Sequence, residues 1–316
     1  MESSIVSAAQ GFNLKCTKIY RDKFGHICVT NRGPVRLQRS EVRGRADSIV
    51  ADILFQHEVK EHLGASGLGV DGFMISVNGT PYFAVGDDIF IATEVCGGSS
   101  GDFANGPGFL DIIARVAHMH HILAGAKITG GAIGAKFGQN TGRHMESLGQ
   151  LKRKLLKAGK FSEFDMHFLR GYEEFGPHIE AYGHINKDPL TNEGYVCHNL
   201  LKEENIYINS GEIILTNFSE AARAHYLFDL SYIVKRHIKA AGVDAVPLVD
   251  ILDIYCKNHP NCGFDEEIFR RILLYPDKFI KVAIDYYSKK RSFAPKTYLS
   301  RIEECFRTKD ALLKYI

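Results

Sequence analysis

Residues Tyr195 to Phe218 read YVCHNLLKEENIYINSGEIILTNF. Tyr195-Val196-Cys197-His198 and Ile206-Tyr207-Ile208 are β-rich runs on either side of a polar loop. Asn209-Ser210-Gly211 is turn chemistry ahead of a third run, Ile213-Ile214-Leu215. The pattern predicts strand, tight loop, strand, turn, strand. Such a unit sets loop residues at strand ends, where His198, Asn205 and Asn217 fall.

The totals frame this unit. A chain of 316 residues can bury one large core or two lobes. Apolar residues make up 45% and charged residues 24%, which fits a soluble globular chain. A formal charge of +2 implies no strong field, so neither nucleic acid nor an anionic membrane is an expected partner. The seven cysteines are scattered and odd in number, which points to a reducing compartment. The opening MESSIVSAAQGFNL lacks the basic start and apolar core of a secretory signal. No apolar run reaches the ~18 residues of a membrane span, so no membrane insertion is expected.

Upstream of the quoted stretch, the first third reads as sheet with one helix. Thr17 to Tyr20, His26 to Thr30 and Val35 to Arg39 are short strands split by Asp22 to Gly25 and Asn31-Arg32-Gly33-Pro34. Arg45 to Leu63 has helical spacing, with Ile49, Ile53, Leu54, Val59 and Leu63 on one face. Phe73 to Val77, Pro81 to Val85 and Ile89 to Val95 add three strands. Cys96 to Gly108, CGGSSGDFANGPG, is dense in glycine and reads as a hinge. Beyond it, helices are expected at Phe109 to Leu123, Met145 to Ala158 and Phe164 to Ile185, with an irregular Gly125 to Gly142 between the first two. After the quoted stretch they are expected at Tyr226 to Ala241, Val246 to Asn258, Asp265 to Leu274, Pro276 to Lys289 and Lys296 to Leu313. The domain division is therefore 1–95, a β-rich lobe; 96–108, the hinge; and 109–316, a helical lobe.

This α+β, two-lobed arrangement resembles the protein-kinase-like fold in its aminoglycoside-phosphotransferase and choline-kinase branch. Within that branch it is most similar to the CotS-type spore coat proteins. GTPYFAVGDDIFIATEVCGG, VAHMHH, FSEFDMHFLRGYEEF and LLYPDKFIKVAIDYYSKKRSFAPK carry the resemblance, in order and at similar spacing, over most of the chain. The resemblance implies a location in the mother cell and then the spore coat, with other coat proteins as partners. It also implies a nucleotide cleft at Thr93, Glu94, Asn205 and Asn217.

Phosphoryl transfer is mostly positioning and charge neutralisation. The resembled catalytic loop, H-x-D-x-x-x-x-N, aligns with His198-Asn199-Leu200-Leu201-Lys202-Glu203-Glu204-Asn205. His198 and Asn205 match, but the base position is Leu200, which has neither charge nor lone pair. The metal loop is Thr216-Asn217-Phe218, with a neutral amide where the family has a carboxylate, a poorer ligand for a hard cation. The phosphate-steadying lysine position in the third strand is Gln38, and strand alternation turns Arg39 to the other face. Base, metal and phosphate anchors are all missing on this alignment. Glu203, Glu204, Glu220 and Asp165 are the carboxylates that could stand in; a solvated loop position is the ordinary explanation for Glu203 and Glu204. Asp229 matches a family position that opens a helix and fits a structural role, either capping that helix or bonding the loop backbone. Glu58, opposite Gln38, reads as a surface or lobe-contact residue.

Other motifs carry less. Cys256, His259 and Cys262 have C-x2-H-x2-C spacing but no fourth zinc ligand nearby. His118, His120 and His121 share a helix without further ligands. There is no P-loop, no G-x-G-x-x-G phosphate cover and no G-x-S-x-G elbow. The expectation is a degenerate kinase-like coat protein without a cofactor. Two readings stay open beside it: an atypical ATP- and Mg²⁺-dependent small-molecule or sugar phosphotransferase, and a nucleotide-sensing pseudokinase. The sequence leaves the oligomeric state open.

Overall fold

A computed structural model describes residues 2–42, 45–133, 141–185, 195–260, 262–288 and 293–316. The chain forms two compact units, each discontinuous in sequence. The first comprises Met1–Gly101, His118–Ala132 and Leu200–Ala222; the second comprises Asp102–Ala117, Ile133–Asn199 and Arg223–Ile316.

The first unit is built on a five-stranded antiparallel sheet. Strands β1 (Cys16–Arg21), β2 (His26–Thr30), β3 (Gly33–Glu41), β4 (Phe83–Val85) and β5 (Asp88–Glu94) lie in the order β1-β2-β3-β5-β4. Strand alternation divides its faces. One face presents Cys28, Val35, Leu37, Phe90 and Ala92 to helix α1 (Glu2–Gly11), which inserts Ile5, Ala8 and Ala9, followed by Phe12. By the same alternation Arg36 and Gln38 of β3 and Ile91 and Thr93 of β5 occupy the other face. Helix α2 (Ala46–Ala65) buries Ile53, Gln56, Val59, Lys60 and Leu63. Leu54, expected on this buried face, is exposed; it lies one residue past the Ile49–Ile53 row, on the turning edge of the helix.

A second sheet in this unit joins β6 (Ser99–Ser100), β8 (Ile206–Asn209) and β9 (Glu212–Leu215). Ser99–Ser100 therefore lies within the 96–108 stretch as a paired strand. Gly98 has φ +107, and a Cβ there would sit 2.2 Å from the Ile208 carbonyl oxygen, so glycine is required where the strands approach. Phe73 to Val77 does not form the expected strand. Phe73 makes only an isolated bridge to Thr93. The Ser76 N–H bonds to Thr80 O and the Gly79 N–H to Ser76 O, closing a turn instead. Turn chemistry at Asn78-Gly79 takes up backbone groups that a strand would have paired.

The second unit is mainly helical. It contains α4 (Thr141–Ala158), α5 (Glu163–Ile185), α6 (Leu227–Ala241), α7 (Leu248–Asn258), α8 (Glu266–Leu274), α9 (Asp277–Tyr287) and α10 (Pro295–Tyr315), with β7 (Val196–Cys197). Helix α3 (Gly106–Ala124) starts in this unit and gives its last turns to the first. Helix α5 supplies an aromatic face at helical spacing. Phe164 stacks on Tyr286 at 3.7 Å, Phe168 faces Phe279, Phe175 lies 5.4 Å from Phe306, and Tyr182 lies 4.1 Å from Tyr275. Asp265 caps α8 by accepting the Ile268 N–H at 2.9 Å. The expected irregular segment Gly125 to Gly142 is helical from Thr141, and 134–140 of it lies outside the described residues, as does Lys289, the last residue of the expected Pro276 to Lys289 helix. Among the described residues, no helix is long and apolar enough to cross a membrane.

Candidate functional site

The loop from Leu200 to Asn205 and the segment Thr216 to Phe218 meet through side-chain amides. A short 3₁₀ turn over Glu203–Asn205 leads into β8, and the buried Asn205 faces back toward the loop. Asn205 Nδ2 donates to the Leu200 carbonyl at 2.7 Å. Asn205 Oδ1 accepts from Asn217 Nδ2 at 3.3 Å. Asn217 is held in the left-handed region at φ +60, a conformation that asparagine tolerates well. The Thr216 N–H bonds to the Asn205 carbonyl at 2.9 Å, which ties the two segments together. Leu200 lies half-buried at the start of this loop.

The other end of the loop is anchored in the second unit. Asp229 is 1% exposed, and its two carboxylate oxygens accept the backbone N–H groups of His198 at 2.7 Å and Asn199 at 2.8 Å. His198 itself is fully buried. The N-cap of α6 is Tyr226, with no side-chain capping bond. Beside this anchor, Cys197 Sγ lies 3.1 Å from the Ala224 carbonyl, and burial pushes its thiol pKa well above the ordinary cysteine value.

The first unit contains a cleft of about 570 Å³ beside β3. Its walls are the β1–β2 connection, β3, α2 and Ser219. Gln38 lies on its floor with Gln56 of α2. Of the nearby cations, three are taken up internally, and Arg21 is the exception. Arg36 Nη2 pairs with Asp22 at 3.0 Å, Arg39 Nε pairs with Asp88 at 2.8 Å, and Lys23 reaches Glu204 at 3.8 Å. Asp22 also accepts the N–H groups of Phe24 and Gly25, both at 2.8 Å, so Arg36 ties the tip of the hairpin to the sheet. Thr93 is buried opposite Arg36 in the sheet register, and Glu94 is exposed at the end of β5.

A buried ion pair that sequence reasoning did not single out lies behind the Asn217 segment. Lys60 and Asp71 are 3% and 5% exposed and 2.9 Å apart. Lys60 Nζ also donates to the Asp71 carbonyl at 2.9 Å and sits 4.2 Å from the Phe73 ring centre. The Asp71 carboxylate accepts the Asn217 N–H at 3.2–3.3 Å. The available signal was a lysine spaced four residues from Gln56 on a helix face otherwise filled by Ile53, Val59 and Leu63. Buried lysines are rare enough to require a partner.

The remaining candidates have structural settings. Glu58 Oε2 accepts from the Thr129 N–H and hydroxyl, both at 3.1 Å. Asp165 takes the Ser162 N–H at 2.8 Å and the Tyr287 hydroxyl at 2.6 Å, which fixes it at the start of α5. Glu203 contributes its carbonyl to Ser100 Oγ and the Gly101 N–H, while its side chain and those of Glu204 and Glu220 are half-buried. His120 is buried; His118 and His121 are exposed. Cys256 and Cys262 bring their sulfurs to 3.9 Å. Among the described residues they do not form a metal-ligand cluster with His259.

Mg²⁺ requires hard oxygen ligands, and one or two carboxylates normally hold it. Asn205 and Asn217 offer neutral amides, and each is already committed to a hydrogen bond within the protein. The adjacent carboxylate of Asp71 is neutralised by Lys60. These residues do not fit a resident divalent cation.

The sheet-bearing first unit and helical second unit define a kinase-like phosphotransferase fold. The chain is similar to an aminoglycoside phosphotransferase from Alicyclobacillus acidocaldarius, with a TM-score of 0.73 at 14% identity, covering 98% of this chain and 93% of that one. It is also similar to the spectinomycin phosphotransferase APH(9)-Ia, solved with AMP, with a TM-score of 0.65 at 11% identity and coverage of 99% and 98%. Choline kinase LicA from Streptococcus pneumoniae matches with a TM-score of 0.55 at 13% identity, covering 100% of this chain and 99% of that one. No family model and no curated protein sequence matches the chain.

Proposed function

We propose that this chain is a kinase-fold protein that does not transfer phosphate, and that it acts through its surfaces as a structural component of a spore coat. The observation that carries the first half is the Asn217–Asn205 amide bond at 3.3 Å, at a position that the sequence resemblance aligns with a metal-binding carboxylate. Leu200 at the base position and Gln38 on β3 support the same reading, because neither can take a proton or neutralise a phosphate. No cofactor is needed for such a role. The coat assignment rests on the sequence resemblance to CotS-type proteins, and other coat proteins are the proposed partners.

Two measurements test the two halves. Purified protein is incubated with ATP, Mg²⁺ or Mn²⁺ and a broad panel of hydroxyl acceptors, and nucleotide consumption is followed. No metal-dependent turnover is expected; turnover abolished by replacing Glu203 or Glu204 would establish an atypical phosphotransferase instead. A fluorescent fusion expressed during sporulation is expected to form a ring on the forespore. A signal that stays diffuse in the mother cell rules out the coat role.

A further inference from the structure

We infer that the cleft of the first unit binds a neutral polyhydroxylated ligand, a sugar or related polyol, without a metal ion. The inference rests on the reading of a site without phosphoryl transfer and names what that site takes instead. The cleft has about 570 Å³ of space, enough for a small saccharide. Beside its ion-paired side chains, seven polar side chains line it: Arg21, His26, Gln38, Ser40, Asp52, Gln56 and Ser219. Among the described residues, none of these side chains has a hydrogen-bond or ion partner within the protein. Gln56 is the telling member. It is only 9% exposed, its amide has no partner within the protein, and what exposure it keeps is toward the cleft it lines. An amide held in place by burial and open only to a cleft offers one donor edge and one acceptor edge to a ligand at little ordering cost.

The charge pattern selects the ligand class. Polyphosphates need spare cations and a metal. Here Arg36, Arg39 and Lys23 are paired with Asp22, Asp88 and Glu204. Arg21 and Asp52 offset each other among the unpaired groups. What remains is two primary amides, two hydroxyls, an imidazole and one group of each charge. Each hydroxyl of a polyol both donates and accepts, and adjacent hydroxyls match an amide or carboxylate edge at two points.

The test is a thermal-shift and calorimetric titration of the full chain with glucose, galactose, N-acetylglucosamine, maltose and trehalose, beside ATP with Mg²⁺ and ATP with EDTA. A saturable rise in melting temperature with at least one sugar is expected, and none with ATP. Gln56→Leu is expected to abolish it, and Gln38→Leu to weaken affinity about tenfold, the loss of one good hydrogen bond. Gln38 is only half-buried, so its variant serves if Gln56→Leu does not fold. A non-saturating rise kept by both variants is the general osmolyte effect and overturns the site. So does silence with all five sugars, or a metal-free ATP shift lost in Gln38→Leu. None of these outcomes touches the proposed lack of phosphoryl transfer, which metal-dependent ATP turnover alone would overturn.

Discussion

Lys60 Nζ lies 2.9 Å from Asp71 Oδ1, and both side chains are almost fully withdrawn from solvent. The pair reaches the backbone of the Thr216–Phe218 segment through Asp71, which accepts the Asn217 N–H. A resident ammonium thus neutralises the carboxylate that orders this segment. Removing one partner leaves the other charge buried and unpaired. Lys60→Met is therefore expected to cost about 3–5 kcal/mol in urea unfolding. The double variant Lys60→Met/Asp71→Leu should recover part of that loss, because it leaves no orphan charge. A double-variant loss equal to the sum of the two single losses would mean that the pair is not coupled.

Asn217→Asp tests the amide pair. A carboxylate in place of the Asn217 amide loses its donor to Asn205 Oδ1 and sets two acceptors face to face. The variant is expected to be about 1–2 kcal/mol less stable in EDTA. Mg²⁺ or Mn²⁺ should restore much of this loss, while leaving the unsubstituted protein unmoved. Equal metal responses of the two proteins would place the divalent-cation site elsewhere.

Much of this arrangement was legible in the sequence, and the gaps have physical causes. The strands of the first sheet follow from turn chemistry and alternation, and the order of helices α3 to α10 from apolar periodicity. Helix α1 was missed, although Ile5, Ala8, Ala9 and Phe12 have the i, i+3, i+4, i+7 spacing of a buried face. Two alanines and one isoleucine give a weak signal until a sheet is there to receive them. The 73–77 stretch has strand composition, but its partners are decided by tertiary pairing, which local propensity does not encode. The positions Leu200, Asn205, Asn217 and Gln38 were visible through the family resemblance. Lys60–Asp71 was not, because the two residues are charged, eleven positions apart and meaningful only once folded together. The unpartnered state of Gln56 is likewise a property of packing.

Asp229 anchors two consecutive backbone N–H groups, at 2.7 and 2.8 Å. A buried carboxylate in this position stabilises the loop only while it accepts both. Asp229→Ala is expected to cost about 3 kcal/mol, since one buried and one half-buried donor lose a charged acceptor. Hydrogen exchange at His198 and Asn199 should accelerate in the same variant. Unchanged exchange at those two amides would show that the loop is held by other contacts.

Gly171 faces the ring of Phe279, and a Cβ there would stand 2.3 Å from its Cε2. The ring is fully buried and packs against the rings of Phe168 and Phe175, so it has little room to retreat. Gly171→Ala ordinarily gains helix propensity, but here overpacking wins. A net loss of about 1–3 kcal/mol is expected from thermal unfolding. A gain in stability would show that the aromatic face of α5 can repack.

Lys235 gives the second unit a pH dependence of definite sign. Burial lowers its pKa from 10.5 to about 8, against a smaller opposing pull from Asp277, and its Nζ donates to the Tyr275 carbonyl at 2.8 Å. Below about pH 8 the lysine is charged in both the folded and the unfolded chain, so the cost of burying the charge is fully present. Between about 8 and 10.5 the unfolded chain holds the proton and the folded chain does not, so stability rises with pH through that window. Lys235→Met removes this dependence. The difference in unfolding free energy between the two proteins is expected to stay flat up to about pH 8, then shift in favour of the lysine by on the order of 1 kcal/mol toward pH 10. Urea titrations at closely spaced pH values read that difference directly. A difference that stays flat through the whole window would mean that Lys235 keeps its proton in the folded state, with its ammonium reaching water.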